Sequence, residues 1–284
     1  MTKRRYFEKP IYWLMRAVTY FIVIVIGYIL YDIVRGGIGT ISWEFLTTMP
    51  RRSGAEGGIL PVIIGTFYLV IGTVATALPI GMAAAIYLTE YATQNRLTRT
   101  IRLAISTLAG IPSIVFGLFG LGLFVIFFGF KASILSGSLT LACMILPIII
   151  VSSEEALKAV PQSFREASLA LGATKWLTIR KNVLPYAIPG MLTGSILGVG
   201  RAAGETAPIL LTVAAFYLPK LPASIFDQVM ALPYHLYILA TQLPDVDAVR
   251  PMQYGTALVL IVLVLGLNLA AIFLRIYFRR KYRW

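Results

Sequence analysis

Residues 152–185 read SSEEALKAVPQSFREASLALGATKWLTIRKNVLP, a polar insert in an otherwise apolar sequence. Long apolar segments flank it, so Glu154 to Pro185 is expected to form a loop between membrane spans. The loop carries helix punctuation of its own. Ser163 followed by Glu166 is a capping-box pair, the hydroxyl taking a free N–H of the first turn and the carboxylate reaching back. Phe164, Ala167, Leu169, Ala170 and Leu171 supply an apolar flank, and Gly172 stands where a left-handed stop is wanted. Thr174 can cap a second helix through Trp176, Leu177, Ile179 and Val183, which Pro185 is expected to end. Two helices this short cannot bury their apolar faces within a loop. Something outside the bilayer is expected to cover them.

Outward from this loop, the chain of 284 residues is 58% hydrophobic and 13% charged. Its apolar residues fall in runs of spanning length, which gives an all-α polytopic membrane protein and excludes a soluble core. The net charge of +13 has no soluble basic domain or aromatic-interleaved stripe to hold it, so no nucleic-acid partner is expected. Cys143 is the only cysteine and His235 the only histidine, which leaves neither an intrachain disulfide nor a metal cluster. No Walker A, GxSxG or HExxH motif occurs, so no catalysis and no cofactor are expected of this chain.

The periodicity and punctuation predict one membrane domain over residues 1–284, with about six spans at 13–34, 59–88, 103–130, 134–151, 186–218 and 254–277. The first is read as an uncleaved span rather than a signal peptide, because its apolar run is long and lacks a clean small-residue cleavage site. Glu90 to Arg102 reads as a short loop. Pro112 falls within the third span, where it either lines a cavity or merely kinks the helix. The segment with Pro219, Pro222, Pro233 and Pro244 reads as a loop holding a short helix around Ile225 to Met230. Basic residues gather on one side: Lys3, Arg4, Arg5, Lys9, Arg16, Arg96, Arg99, Arg102, the 152–185 loop and the tail from Arg275 to Arg283. The positive-inside rule puts that side, with both termini, in the cytoplasm.

The fifth span holds Arg201 and Glu205 within Gly198-Val-Gly-Arg-Ala-Ala-Gly-Glu-Thr-Ala-Pro208. Each ionised group costs about 2.5–3.5 kcal/mol at a helix centre on insertion scales. At i and i+4 they share a face and can pair, which offsets part of that cost. The pair either locks helix packing or lies on a translocation path, where Arg201 offers bidentate donors to a tetrahedral oxyanion and Thr206 lies beside Glu205. Intramembrane charge marks function by default, which favours the path.

Glu166-Ala167-Ser168, three residues, Gly172, nine residues, then Asn182-Val183-Leu184-Pro185 resembles the EAA loop of ABC importer permeases. Ser168 stands for the second Ala of that pattern, and Asn182 for its Ile. The resemblance implies a type I importer (MetI-like) permease fold. It also implies that the loop is a coupling helix seated in a groove of a cytoplasmic ATPase, through Ser163, Glu166, Ala167, Leu169, Gly172, Ala173, Trp176, Leu184 and Pro185. The stretch Arg201-Ala-Ala-Gly-Glu-Thr-Ala-Pro208 is similar to the signature of phosphate permeases of the PstA/PstC type. So are Ala109-Gly-Ile-Pro-Ser-Ile-Val-Phe-Gly-Leu118 and Ser53-Gly-Ala-Glu-Gly-Gly58, the latter leaning, with the short N-terminal segment, toward the PstA type. That family implies a multi-pass protein of a prokaryotic inner membrane. Its implied partners are a second homologous permease, an ATPase dimer, an extracytoplasmic phosphate-binding protein and the lipid bilayer. The charge pair itself suits any oxyanion, so a sulfate or molybdate permease stays open, as does an anion channel, which would need no ATPase.

Overall fold

The computed structural model describes residues 4–54, 56–243 and 248–281; Lys3, Ala55, Pro244 and Arg283 lie outside them. Helix α1 (Arg4–Gly37) leads to a short α2 (Trp43–Thr47) and a two-stranded hairpin, β1 (Pro50–Arg51) with β2 (Glu56–Gly57). Then come α3 (Leu60–Ile86), α4 (Arg96–Leu108), α5 (Ser113–Gly120) and α6 (Ile134–Lys158). The 152–185 region holds α7 (Gln162–Ala170) and α8 (Lys175–Thr178), and the chain continues as α9 (Leu184–Gly204), α10 (Ala207–Thr212), α11 (Leu232–Thr241) and α12 (Arg250–Lys281). Five helices are long and apolar enough to span a bilayer, and the bent pair α4–α5 makes up to six.

The core is built on α6, which packs against α3 on one side and α9 on the other. Its Leu141, Met144, Ile145 and Ile149 are fully buried. Close approach rests on small residues, as it must where lipid removes the hydrophobic drive between helices. A Cβ on Gly81 of α3 would stand 2.7 Å from Ile149, and one on Gly194 of α9 would collide with Ser152. Helix α9 packs in turn on α12, and α12 on α1. Gly200 faces Asn268, and Arg275 Nη1 donates to Thr193 Oγ1 at 3.4 Å, so α9 and α12 run antiparallel. Tyr254 at the start of α12 donates to Asp32 near the end of α1 at 2.8 Å. Both described chain ends therefore lie at the α7–α8 end of the bundle.

Two expected spans, and the loop before the third, change on inspection. The third is not one rod: α4 and α5 meet at 105° across Ala109–Pro112. Gly110 and Pro112 sit at the corner, with Pro112 extended (φ −56°, ψ 138°), because proline supplies no N–H to continue α4. Part of the expected Glu90–Arg102 loop is helical, since Asn95 accepts from Thr98 N at 2.9 Å and starts α4 at Arg96. The fifth span ends at Gly204 rather than Leu218. Beyond α10 the chain is extended, and Ala214 bridges in parallel to Val229. The helix expected at Ile225–Met230 is absent, and α11 forms instead at Leu232–Thr241, with Pro233 in its first turn.

Candidate functional site

At one end of the bundle, α6 runs past Val151 to Lys158, so the loop is shorter than expected and Glu154 is a buried helix residue. The turn at Pro161 (φ −55°, ψ 139°) starts α7. The expected capping box is therefore not formed. Proline presets the first turn without needing a cap, which draws the helix start ahead of Ser163 and leaves Ser163 and Glu166 exposed inside the helix. The stop is as expected. Gly172 has φ +81°, its N–H donates to Leu169 O at 2.9 Å, and Ala173 N donates to Ser168 O at 3.2 Å, the bond pair of a Schellman motif. Thr174 accepts from Leu177 N at 3.3 Å and opens α8. Pro185 does not end that helix. A π turn, Ile179–Val183, widens the backbone, and Leu184 and Pro185 form the first turn of α9, where a missing N–H is no loss.

This module presents an apolar face to solvent: Leu169, Leu171, Trp176 and Leu177 are exposed, Leu171 at 89%. Ala167 is exposed beside them, and the half-buried Leu184 packs into the core cluster of Leu157, Val183 and Ala187. Its other face is clamped. Arg165 Nη2 pairs with Glu90 Oε1 at 2.7 Å, Nη1 donates to Val160 O at 2.8 Å, and Nη2 also donates to Leu157 O at 2.9 Å. Glu90, on the π turn that extends α3 to Tyr91, and Arg165 are 7% and 13% exposed, so the pair is largely desolvated. Lys175 lies over the Tyr91 ring at 5.1 Å. Below, Glu154 pairs with Arg102 at 3.1 Å and Lys158 at 3.5 Å. Sequence reasoning missed the Arg165–Glu90 clamp; Arg165 reads there only as one more positive charge, and nothing local to Glu90 marks its partner 75 residues on.

At the C-terminal end of α9 the second group lies at a helix break. Arg201 Nε donates to Glu205 Oε1 at 3.1 Å, as the i, i+4 spacing predicts. Glu205 terminates α9 with an extended backbone (φ −75°, ψ 133°), and Thr206, half-buried, is the residue before α10. Gly204 and Pro208 make the break: glycine weakens the last turn, and Pro208 cannot donate back into α9. Interrupted helix at this depth frees carbonyls, which must face protein or water. A Cβ on Gly204 would meet nothing within 4 Å, so the break opens on space. The two terminal amino groups of Arg201 have no partner among the described residues, which leaves half of a planar fork free for an oxyanion. On the other flank, a Cβ on Gly117 of α5 would stand 3.0 Å from Pro208 Cα and 3.1 Å from Ala207 O. The 109–118 and 201–208 stretches thus pack together, which their 80-residue separation hides. Among the described residues no cluster of His, Cys, Asp or Glu could hold a metal ion.

Comparison with known proteins agrees with this architecture. The family described as binding-protein-dependent transport system inner membrane component matches residues 77–284. The chain is 36% identical over 262 residues to the probable ABC transporter permease protein YqgI of Bacillus subtilis (strain 168), covering 87% of each. It is 35% identical over 275 residues to the phosphate transport system permease protein PstA 1 of Mycobacterium tuberculosis (strain ATCC 25618 / H37Rv), covering 96% of this chain and 84% of that one. Among solved structures, a chain of the inward-facing MetNI methionine ABC transporter superposes with a TM-score of 0.58 at 19% identity, covering 78% of this chain and 94% of that one. The fold expected from the EAA loop is the fold found. The chain belongs to the binding-protein-dependent transport system inner membrane components, the multi-pass permease subunits of prokaryotic ABC importers, and is not itself an enzyme.

Proposed function

We propose that this chain is the PstA-type permease subunit of an ATP-driven phosphate importer. It pairs with a second homologous permease and with an ATPase dimer, and receives inorganic phosphate from an extracytoplasmic binding protein. The α7–α8 end, with both described chain ends, faces the cytoplasm, a reading that the distribution of Lys and Arg supports. ATP closes the ATPase dimer, the exposed face of Leu169, Leu171 and Trp176 carries that movement into the bundle, and the spans alternate between outward- and inward-open states. Arg201 contacts the anion in passing, with Glu205 holding its guanidinium and Thr206 beside it.

The observation that carries this reading is the Arg201–Glu205 pair at a helix break, with the outer half of the guanidinium unpaired. The similarity to named phosphate permeases supports phosphate as the anion. The test is ATP hydrolysis and phosphate uptake by the reconstituted complex with its binding protein, for wild type and Arg201→Gln. Wild type responds to phosphate and not to sulfate, and the variant hydrolyses ATP without moving phosphate. A response to sulfate alone overturns the substrate; a variant that fails to assemble reduces the pair to a packing lock.

A further inference from the structure

We propose that Asn268 of α12 distinguishes a protonated oxyanion, hydrogen phosphate, from a fully ionised one such as sulfate. This rests on the reading of Arg201 as the anion contact, and adds a group that accepts the proton of the anion. Between Thr256 and Arg275 of α12, Asn268 is the one polar side chain in an apolar run. An amide in such a span is ordinarily held by a neighbouring helix. Here the Oδ1 of Asn268 is buried and has no hydrogen-bond partner among the described residues. The amide lies against Gly200 of α9, where an added Cβ would stand 3.1 Å from Nδ2 and 3.2 Å from Oδ1. Only a residue without a side chain admits it there.

The same glycine places Asn268 beside the charge pair. Arg201 follows Gly200 directly, and Gly204 follows Gly200 by four residues and Arg201 by three. Residues three and four apart are neighbours on a helix surface, about 5–6 Å between Cβ positions, so Gly204 borders both. A Cβ on Gly204 would meet nothing within 4 Å. One opening is therefore flanked by the amide lying on Gly200 and by Arg201, whose terminal amino groups have no partner among the described residues. An anion in that opening meets free donors on one flank and an unpaired acceptor on the other.

Arginine only donates, whereas an amide oxygen only accepts. An anion without a proton satisfies Arg201 and leaves Oδ1 of Asn268 unpaired. Hydrogen phosphate keeps a P–OH, which donates to that oxygen, so both flanks are satisfied together. A site that hydrogen-bonds a substrate hydroxyl rejects the analogue lacking it, because its own buried group then has no partner. Glu205 is the poorer acceptor: Arg201 Nε already occupies its Oε1, and its charge repels either anion. The neutral amide accepts the proton without that repulsion.

The test uses the complex without its binding protein, so that the membrane subunits alone choose the anion. In wild type, inorganic phosphate raises the unfolding temperature above that in sulfate of equal ionic strength, and arsenate, which keeps an As–OH, follows phosphate. Asn268→Leu unfolds no earlier than wild type without anion, since it breaks no hydrogen bond among the described residues, yet it removes the difference between phosphate and sulfate. With the binding protein restored, the variant lowers phosphate uptake about tenfold or more, the scale of one unmade buried hydrogen bond. Equal shifts by phosphate and sulfate in wild type overturn the proposal. So does full uptake by Asn268→Leu, or early unfolding, which makes Asn268 a packing residue. Arg201→Gln separates this from the broader reading. If it abolishes uptake while Asn268→Leu does not, only the role of Asn268 falls; if both leave uptake intact, the anion path falls too.

Discussion

Ser168 and Asn182, the two positions where the loop departs from the importer pattern, touch each other. Asn182 Nδ2 donates to Ser168 Oγ at 2.9 Å, and the same hydroxyl lies 2.9 Å from Thr178 Oγ1. Ser168 and Thr178 are buried, so this triad pins α7 against the π turn after α8. The family's Ala and Ile would meet here as an apolar contact, and this chain has replaced both partners together. Ser168→Ala alone strands the amide of Asn182 and is expected to cost about 1–3 kcal/mol. The double variant Ser168→Ala, Asn182→Ile regains most of that, because both polar partners leave at once. A thermal-unfolding double-mutant cycle reads the difference, and additive losses would refute the coupling.

Gly172 should tolerate size but not shape. Its φ of +81° disfavours a Cβ, although no atom lies within 4 Å of one. Gly172→Val is therefore expected to cost about 1–2 kcal/mol locally and to uncouple ATP hydrolysis from uptake. Gly172→Asn keeps most of the uptake, since Asn adopts the left-handed conformation more readily. Parallel uptake and hydrolysis assays in proteoliposomes decide this, and equal behaviour of the two variants would count against it.

The clamp between Glu90 and Arg165 is largely desolvated, so removing one partner leaves an unpaired charge. Glu90→Ala is expected to destabilise the α7–α8 end by about 3–5 kcal/mol while the spans still insert. Exchanging the two residues does not rescue, because Arg165 also donates to the carbonyls of Val160 and Leu157. Limited proteolysis between Pro161 and Lys175 provides the readout. Unchanged protection in Glu90→Ala would show that the carbonyl bonds suffice.

Acid is expected to loosen the opposite end of the bundle. His235 on α11 is 2% exposed, lies under the turn at Gly54, and finds no hydrogen-bond partner for either ring nitrogen among the described residues. Burial pushes its pKa down from 6.5 to about 4. A depressed basic pKa means that the neutral form is favoured by folding. Stability is thus full above pH 6.5 and falls as pH drops toward 4, by roughly 3 kcal/mol in total. His235→Phe should flatten the melting temperature across that window, and an unchanged slope would assign the acid sensitivity to another group.

Much of this was legible in the chain. Long apolar runs gave the five straight spans, and Gly172 and Thr174 gave the turn between α7 and α8, because those signals are local. The continuation through Pro185 was misread because proline was taken as a stop, whereas in the first turn of a helix it is a beginning. The start at Pro161 was hidden by the nearby Ser163–Glu166 pattern, and the break at Glu205 by the apolar run that continues past Pro208. The bend at Ala109–Pro112 could not be sized, since a kink and a corner of 105° share the same residues. The Arg201–Glu205 pair was visible because its partners are four apart. The Glu90–Arg165 and Gly117–Pro208 contacts were not, because only tertiary packing joins them.

Helix α6 has a consequence beyond packing. At its start, Ser133 N donates to Thr212 O, Ile134 N to Asp227 O and Leu135 N to Ile225 O, each within 3.0 Å. At its end, the carbonyls of Leu157 and Val160 hold the guanidinium of Arg165. Its 25 residues make a strut about 37 Å long, tied by its main chain at both tips. A push delivered at α7 is therefore expected to reach the stretch after α10 as a displacement of the same helix, coupling the two ends of the bundle.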